Sequence, residues 1–133
     1  MTTTAATIAA ILLVAVAAIQ VALALGLPFG HISWGGRHHG RLPDKLRVGS
    51  GAGAVVLLLA ALIVMAQGGL IGWSPIPESW LTPATWLLAG FMTLNTVGNI
   101  SSESRFEKVI FGPTTGVLVV LLVILAITGD GPR

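Results

Sequence analysis

With 133 residues the chain has the size of one domain, and it has no cysteine, which excludes disulfides, thiolate catalysis and Cys-based metal centres. Only 9% of its residues are Asp, Glu, Lys or Arg and its mean hydropathy is +0.91, whereas a soluble domain carries charge on about a quarter of its residues. A water-soluble core is therefore excluded, and the net charge of +2 reads as topology signals and headgroup contacts rather than as a nucleic-acid surface.

Four apolar runs, at about residues 5–27, 48–67, 83–97 and 114–128, contain no charged residue. A bilayer core of about 30 Å needs about 20 apolar residues in helical form. Lipid offers no hydrogen-bond partner to backbone outside a helix or closed barrel, and these runs do not alternate as barrel strands would. The pattern predicts an all-α integral membrane four-helix bundle, with residues 1–133 forming a single transmembrane domain. Ala22-Leu23-Ala24 resembles a signal-peptidase site, but the first run lacks a basic leader and is longer than a signal core. It is read as a helix.

The loop over residues 28–47 holds all three histidines, His31, His38 and His39, with Arg37, Arg41, Lys45 and Arg47. No carboxylate pair or HExxH frame accompanies the histidines, so no metal site and no cofactor are expected. The cations, with glycine amides beside them and Asn99 from a later loop, define a candidate site for anionic lipid or phosphate; the simpler account is a basic loop that orients the chain. Gly49-x-x-x-Gly53 then opens the second run as a helix-packing face.

Between the second and third runs, Trp73 and Trp80, with Trp86 one turn into the third, are placed as interfacial anchors. Thr82-Pro83 reads as N-cap and first helical residue. Gln20, Thr93 and Asn95 are the conspicuous polar side chains within the runs, and interhelical hydrogen bonding is their simplest role. Ser104-x-x-Glu107 fits a capping box that starts a short interfacial helix through Phe106, Val109 and Ile110, ended by Gly112-Pro113. Asp44, Glu103 and Glu107 read as a solvated, charge-balanced face.

Gly112-x-x-x-Gly116 mirrors Gly49-x-x-x-Gly53, each four residues after a lysine, Lys108 and Lys45, and Gly98-Asn99-Ile100-Ser101 mirrors Gly30-His31-Ile32-Ser33. Coincidence in a glycine-rich chain is the simpler account. A duplication would make two tandem hairpins related by a pseudo-twofold along the membrane normal, with His31 and Asn99 in matching places.

The stretch Leu27-Pro28-Phe29-Gly30-His31-Ile32-Ser33-Trp34-Gly35-Gly36 with Leu42-Pro43, and Asn95-Thr96-Val97-Gly98-Asn99 with Glu107-Lys108, resembles a family of small four-helix bacterial membrane proteins of uncharacterised activity. That resemblance implies a bacterial cytoplasmic membrane and makes the two basic loops the distinctive surface, and it brings no substrate.

No catalytic triad, phosphate loop or carboxylate pair can be assembled, so a non-enzymatic role is expected: binding of the bilayer, of anionic lipid, of another membrane protein or of a second copy through loops 28–47 and 98–113. The alternative is a small oligomeric transporter or channel subunit. Six of the seven Lys and Arg residues lie in those two loops or at their edges, and only Arg133 lies on the other side, which places the loops in the cytoplasm and both termini outside. Reporter fusions at Gly40 and Gly69 should be active only inside and only outside, respectively; a cytoplasmic signal from Gly69 would reverse this topology.

Overall fold

The computed structural model describes all 133 residues. It is all-helical, with α1 (Thr2–Ala24), α2 (Asp44–Gln67), α3 (Leu81–Ile100) and α4 (Gly112–Thr128). The chain leaves α1 through Gly26, whose φ of +91° suits glycine, and Pro28 follows. Helix α2 starts a turn earlier than its apolar run, because Asp44 in its first turn suits the positive helix end.

Two local expectations are corrected. Helix α3 begins at Leu81, with Trp80 in the capping position, so Pro83 falls third in the helix, still among residues whose N–H groups have no intrahelical acceptor. Thr82 is thereby released from capping, and its hydroxyl accepts from the Gln67 amide at 3.0 Å. Gly112-Pro113 does not end a separate interfacial helix either. The chain is helical without a break from Arg105 into α4, passing through a π-turn at Glu107–Phe111 in which the Gly112 N–H reaches the Glu107 carbonyl five residues back. Pro113 explains the wider turn, since it has no N–H to give Val109 and its ring would crowd that carbonyl in an α-turn.

Helices α1 and α2 form one hairpin and α3 and α4 a second, with α1 packed on α4 and, more sparsely, α2 on α3. A pseudo-twofold would give this order of neighbours, and any up-down bundle shares it. The closest seam is built from alanine. Ala5, Ala9, Leu13 and Ala17 recur every fourth residue along one face of α1, and with Ala60, Ala61 and Val64 of α2 they are almost wholly covered. Small side chains let two backbones approach, which is how helices associate when lipid supplies no hydrophobic drive. Leu118, Leu122 and Leu125 of α4 and Met92 of α3 complete the same core.

The outer surface is apolar as well, with Ile11, Val55, Leu87, Leu94, Val120 and Ile127 all more than half exposed. Three helical segments, Thr2–Ala24, Asp44–Gln67 and Glu107–Thr128, are long and apolar enough to cross a membrane. The α3 segment, diluted by Thr82, Pro83, Thr85, Thr93, Asn95, Thr96 and Asn99, is not among them.

The two ends of the bundle differ. At the end holding both termini, the Thr2 hydroxyl donates to Thr128 at 2.7 Å. There the buried Gln67 amide donates to Thr82 and to the carbonyls of Leu125 and Gly129 at 3.0–3.3 Å, which joins the ends of α2 and α4 to the start of α3. Residues 28–43 and 101–106 meet at the opposite end.

Overfilling the alanine seam should be costly. Ala9→Leu should destabilise the bundle by about 1–3 kcal/mol, whereas Ile11→Leu, at a position 62% exposed, should leave thermal unfolding in detergent unchanged; equal melting points for the two variants would contradict the packing described.

Candidate ligand groove

The loop between α1 and α2 closes on itself before it touches the rest of the molecule. The Gly30 N–H donates to the Gly40 carbonyl at 2.7 Å, and a Cβ on Gly30 would overlap the carbonyls of His38 and Gly40. Leu42, 2% exposed, packs beside Gly30 within the loop. Trp34, Gly35 and Gly36 follow with φ values of +53°, +79° and +72°. Left-handed backbone costs a non-glycine residue about 1–3 kcal/mol, and Trp34 has compensation in view. Its indole N–H donates to the Ser50 hydroxyl at 2.9 Å, and its ring lies so close to Gly49 that a Cβ there would stand 2.9 Å from it.

The turn made by these residues receives a carboxylate. Glu107 Oε1 accepts from the Gly35 N–H at 2.9 Å and from the Ser102 hydroxyl at 2.7 Å. The Ser104 hydroxyl donates to the His31 carbonyl at 2.9 Å and accepts from the Glu107 N–H at 3.3 Å. Half of the expected capping box therefore forms. Its other half is replaced: the Ser104 N–H donates to Ser102 Oγ at 3.0 Å, which frees the Glu107 side chain to cross to the first loop. Glu107 is 9% exposed and forms no ion pair, which corrects its reading as part of a solvated face.

Above this clasp lies a groove of about 410 Å³ between the two hairpins. Ser33, Trp34 and Glu107 line its loop end, Gln20, Asn95 and Asn99 give it polar walls, and Val56, Leu57, Phe91, Met92 and Leu118 line its apolar reach. From Gly49 to Leu57 it follows eight residues of α2, about 12 Å at 1.5 Å per residue, and so ends about midway along the bundle. A second hollow of about 330 Å³ adjoins it and shares Asn95, Asn99 and Glu107.

The sequence-derived candidates divide accordingly. Gln20, Asn95 and Asn99 line the groove; the Asn95 amide N–H also bonds to the Phe91 carbonyl at 2.9 Å, and the Thr93 hydroxyl bonds within its own helix to Ala89. The basic residues stay outside the groove. Arg47 Nε donates to the Ala24 carbonyl at 3.0 Å and its Nη1 lies 3.5 Å from Asp44, which puts a cation on the negative end of α1. The Arg41 guanidinium lies over Gly26 beside it. Arg37, His31, His39 and Lys45 are exposed, with His38 partly covered. No three His, Asp or Glu side chains converge as metal ligands would.

The glycine pairs take different surroundings. Gly112 and Gly116 face α3, near Ile100 and Thr96, where Thr96 and Thr115 share a hydroxyl bond of 2.9 Å. Gly49 receives an indole ring in place of a helix, and Gly53 opens into the groove with nothing within 4 Å of its Cβ direction. Trp73, Trp80 and Trp86 are all exposed.

Glu107, Ser102 and Trp34 were not among the candidates; the available signal was a carboxylate and a Trp-Gly-Gly turn in loops destined for the same end. Comparison with protein-family models, with curated proteins and with solved structures finds no match.

The clasp predicts a difference between two glycines of one loop. Gly36→Ala and Gly40→Ala both meet left-handed backbone strain, but only at Gly36 would the new Cβ fall within 3 Å of another backbone, that of Ser104, while Gly40 has open space. Gly40→Ala should cost about 1–2 kcal/mol and Gly36→Ala clearly more; thermal unfolding of the purified variants compares them directly.

Proposed function

We propose that this chain is a multi-pass protein of a bacterial cytoplasmic membrane, with both termini outside, that binds an amphiphilic molecule in the groove between its hairpins without transforming it. The observation that carries the reading is the groove itself: polar groups gather at the loop end and apolar side chains continue to mid-bundle, the gradient an amphiphile needs. Support for the membrane setting comes from the apolar exterior and from the six basic residues gathered at one end. Exposed Arg37, Arg41 and Lys45 would touch anionic headgroups there, an attraction that salt screens within about 8 Å.

Catalysis finds no support in the site. Its one carboxylate is already held by two donors, and no second carboxylate, histidine or lysine lines the groove beside it. Transport by a small oligomer is the second reading, favoured by a buried carboxylate that lines the groove. Against it, the groove stops at Leu57 and Leu118, and beyond them the core is Leu, Ala and Val.

Gly53→Leu tests the binding role, because the new side chain enters open groove space and removes a helix-interior glycine, worth about 1 kcal/mol of helix stability. Native mass spectrometry of the protein released from mild detergent should show a bound amphiphile on the parent chain and a several-fold loss on the variant, with the melting temperature held or raised. Equal retention by both would overturn the binding role.

A further inference from the structure

We propose that the groove selects a cationic amphiphile, an organic cation carried on an apolar body, and that Glu107 supplies its counter-charge; this rests on the groove being a ligand site. Glu107 is the sole charged residue among those that line it. A carboxylate this deeply covered would ordinarily be paired with a cation, and Glu107 forms no ion pair. Arg47 is committed to Ala24 and Asp44, Arg133 pairs with Asp130 at the far end, and no basic side chain lines the groove.

Both donors that Glu107 has converge on the same oxygen, Oε1. No side-chain oxygen or nitrogen is sealed in the protein without a partner, so the second carboxylate oxygen, which has no partner, keeps accessible surface on a residue that lines the groove. An anionic head would meet a carboxylate with no cation to offset it, and a neutral head would leave the charge unanswered. A cation answers it, and Trp34 and Phe91 line the same groove, aromatic side chains of the kind that attract positive charge. The clasp positions the acid, and the apolar half of the groove accepts the body of the ligand.

Tetraphenylphosphonium and tetraphenylborate share shape and apolar surface and differ in the sign of their charge, so they separate charge selection from hydrophobic partition. The detergent-solubilised protein should bind the phosphonium saturably and the borate at least about tenfold more weakly, by the strength of a charge-assisted contact. Glu107→Gln keeps an oxygen to accept from Gly35 and Ser102 while removing the charge; it should lose phosphonium affinity by a similar factor while remaining folded, at a somewhat lower melting temperature because two charge-assisted hydrogen bonds become neutral ones. Should that variant unfold, Asn95→Lys, which puts an internal cation into the same groove, should abolish phosphonium binding.

Borate binding as tight as phosphonium binding, or phosphonium affinity untouched by either variant, would overturn the proposal. If the neutral probe N-phenyl-1-naphthylamine binds as tightly as the phosphonium and is lost in Gly53→Leu, the groove remains a binding site and charge selection falls. If no probe saturates the parent protein, both readings fall together.

Discussion

One carboxylate decides how the two hairpins meet at the basic end of this bundle. Glu107 holds the amide of Gly35 from the first loop and the hydroxyl of Ser102 from the third through one oxygen. Hydrogen bonds to a charged group are worth about 1.5–3 kcal/mol each, and here they fall where the apolar helices contribute little specificity of their own. The left-handed Trp34-Gly35-Gly36 turn exists to present that amide, and Ser104 adds a second tie, to the His31 carbonyl. Of the glycine amides in that loop, the Gly35 N–H does hold an anion, and it is the chain's own.

That arrangement leaves space behind it. Alanine brings α1 and α2 together, and Gly112 and Gly116 let α4 lie along α3, so each hairpin is tight within itself. Between α2 and α3 the contact is sparse, and the side chains facing that gap at the loop end are Gly53, Asn95 and Asn99. A glycine and two amides neither fill the space nor find partners across it. The groove is thus a consequence of two well-packed halves tied by the clasp at one end and by the Gln67 amide at the other, with little to fill the space between.

The architecture was legible in the sequence because charge-free runs of near-bilayer length permit little else, and the helix count, order and up-down sense all follow from them. Boundaries were less so: Pro83 and Pro113 look like punctuation, yet each sits inside a helical segment because the N–H it lacks is one the local turn does not need. The site was half legible. Gln20, Asn95 and Asn99 stand out as polar residues in apolar surroundings. Glu107 does not, because a Ser-x-x-Glu spacing has a local explanation in capping, and a carboxylate's partner 72 residues away leaves no periodic trace.

The Gly-x-x-x-Gly pairs carry the same lesson further. Spacing alone marks positions where something can come close, and it is silent on what does. At Gly112 and Gly116 the neighbour is a helix, at Gly49 an indole, and at Gly53 open space. The internal echo between the halves therefore reaches the order of the helices and stops short of their surfaces. What differs at the matching places is an indole folded onto the start of α2 from the first loop and a carboxylate extended from the start of α4 to meet that loop's backbone. These two side chains form the floor of the groove, so the cavity arises where the halves are least alike.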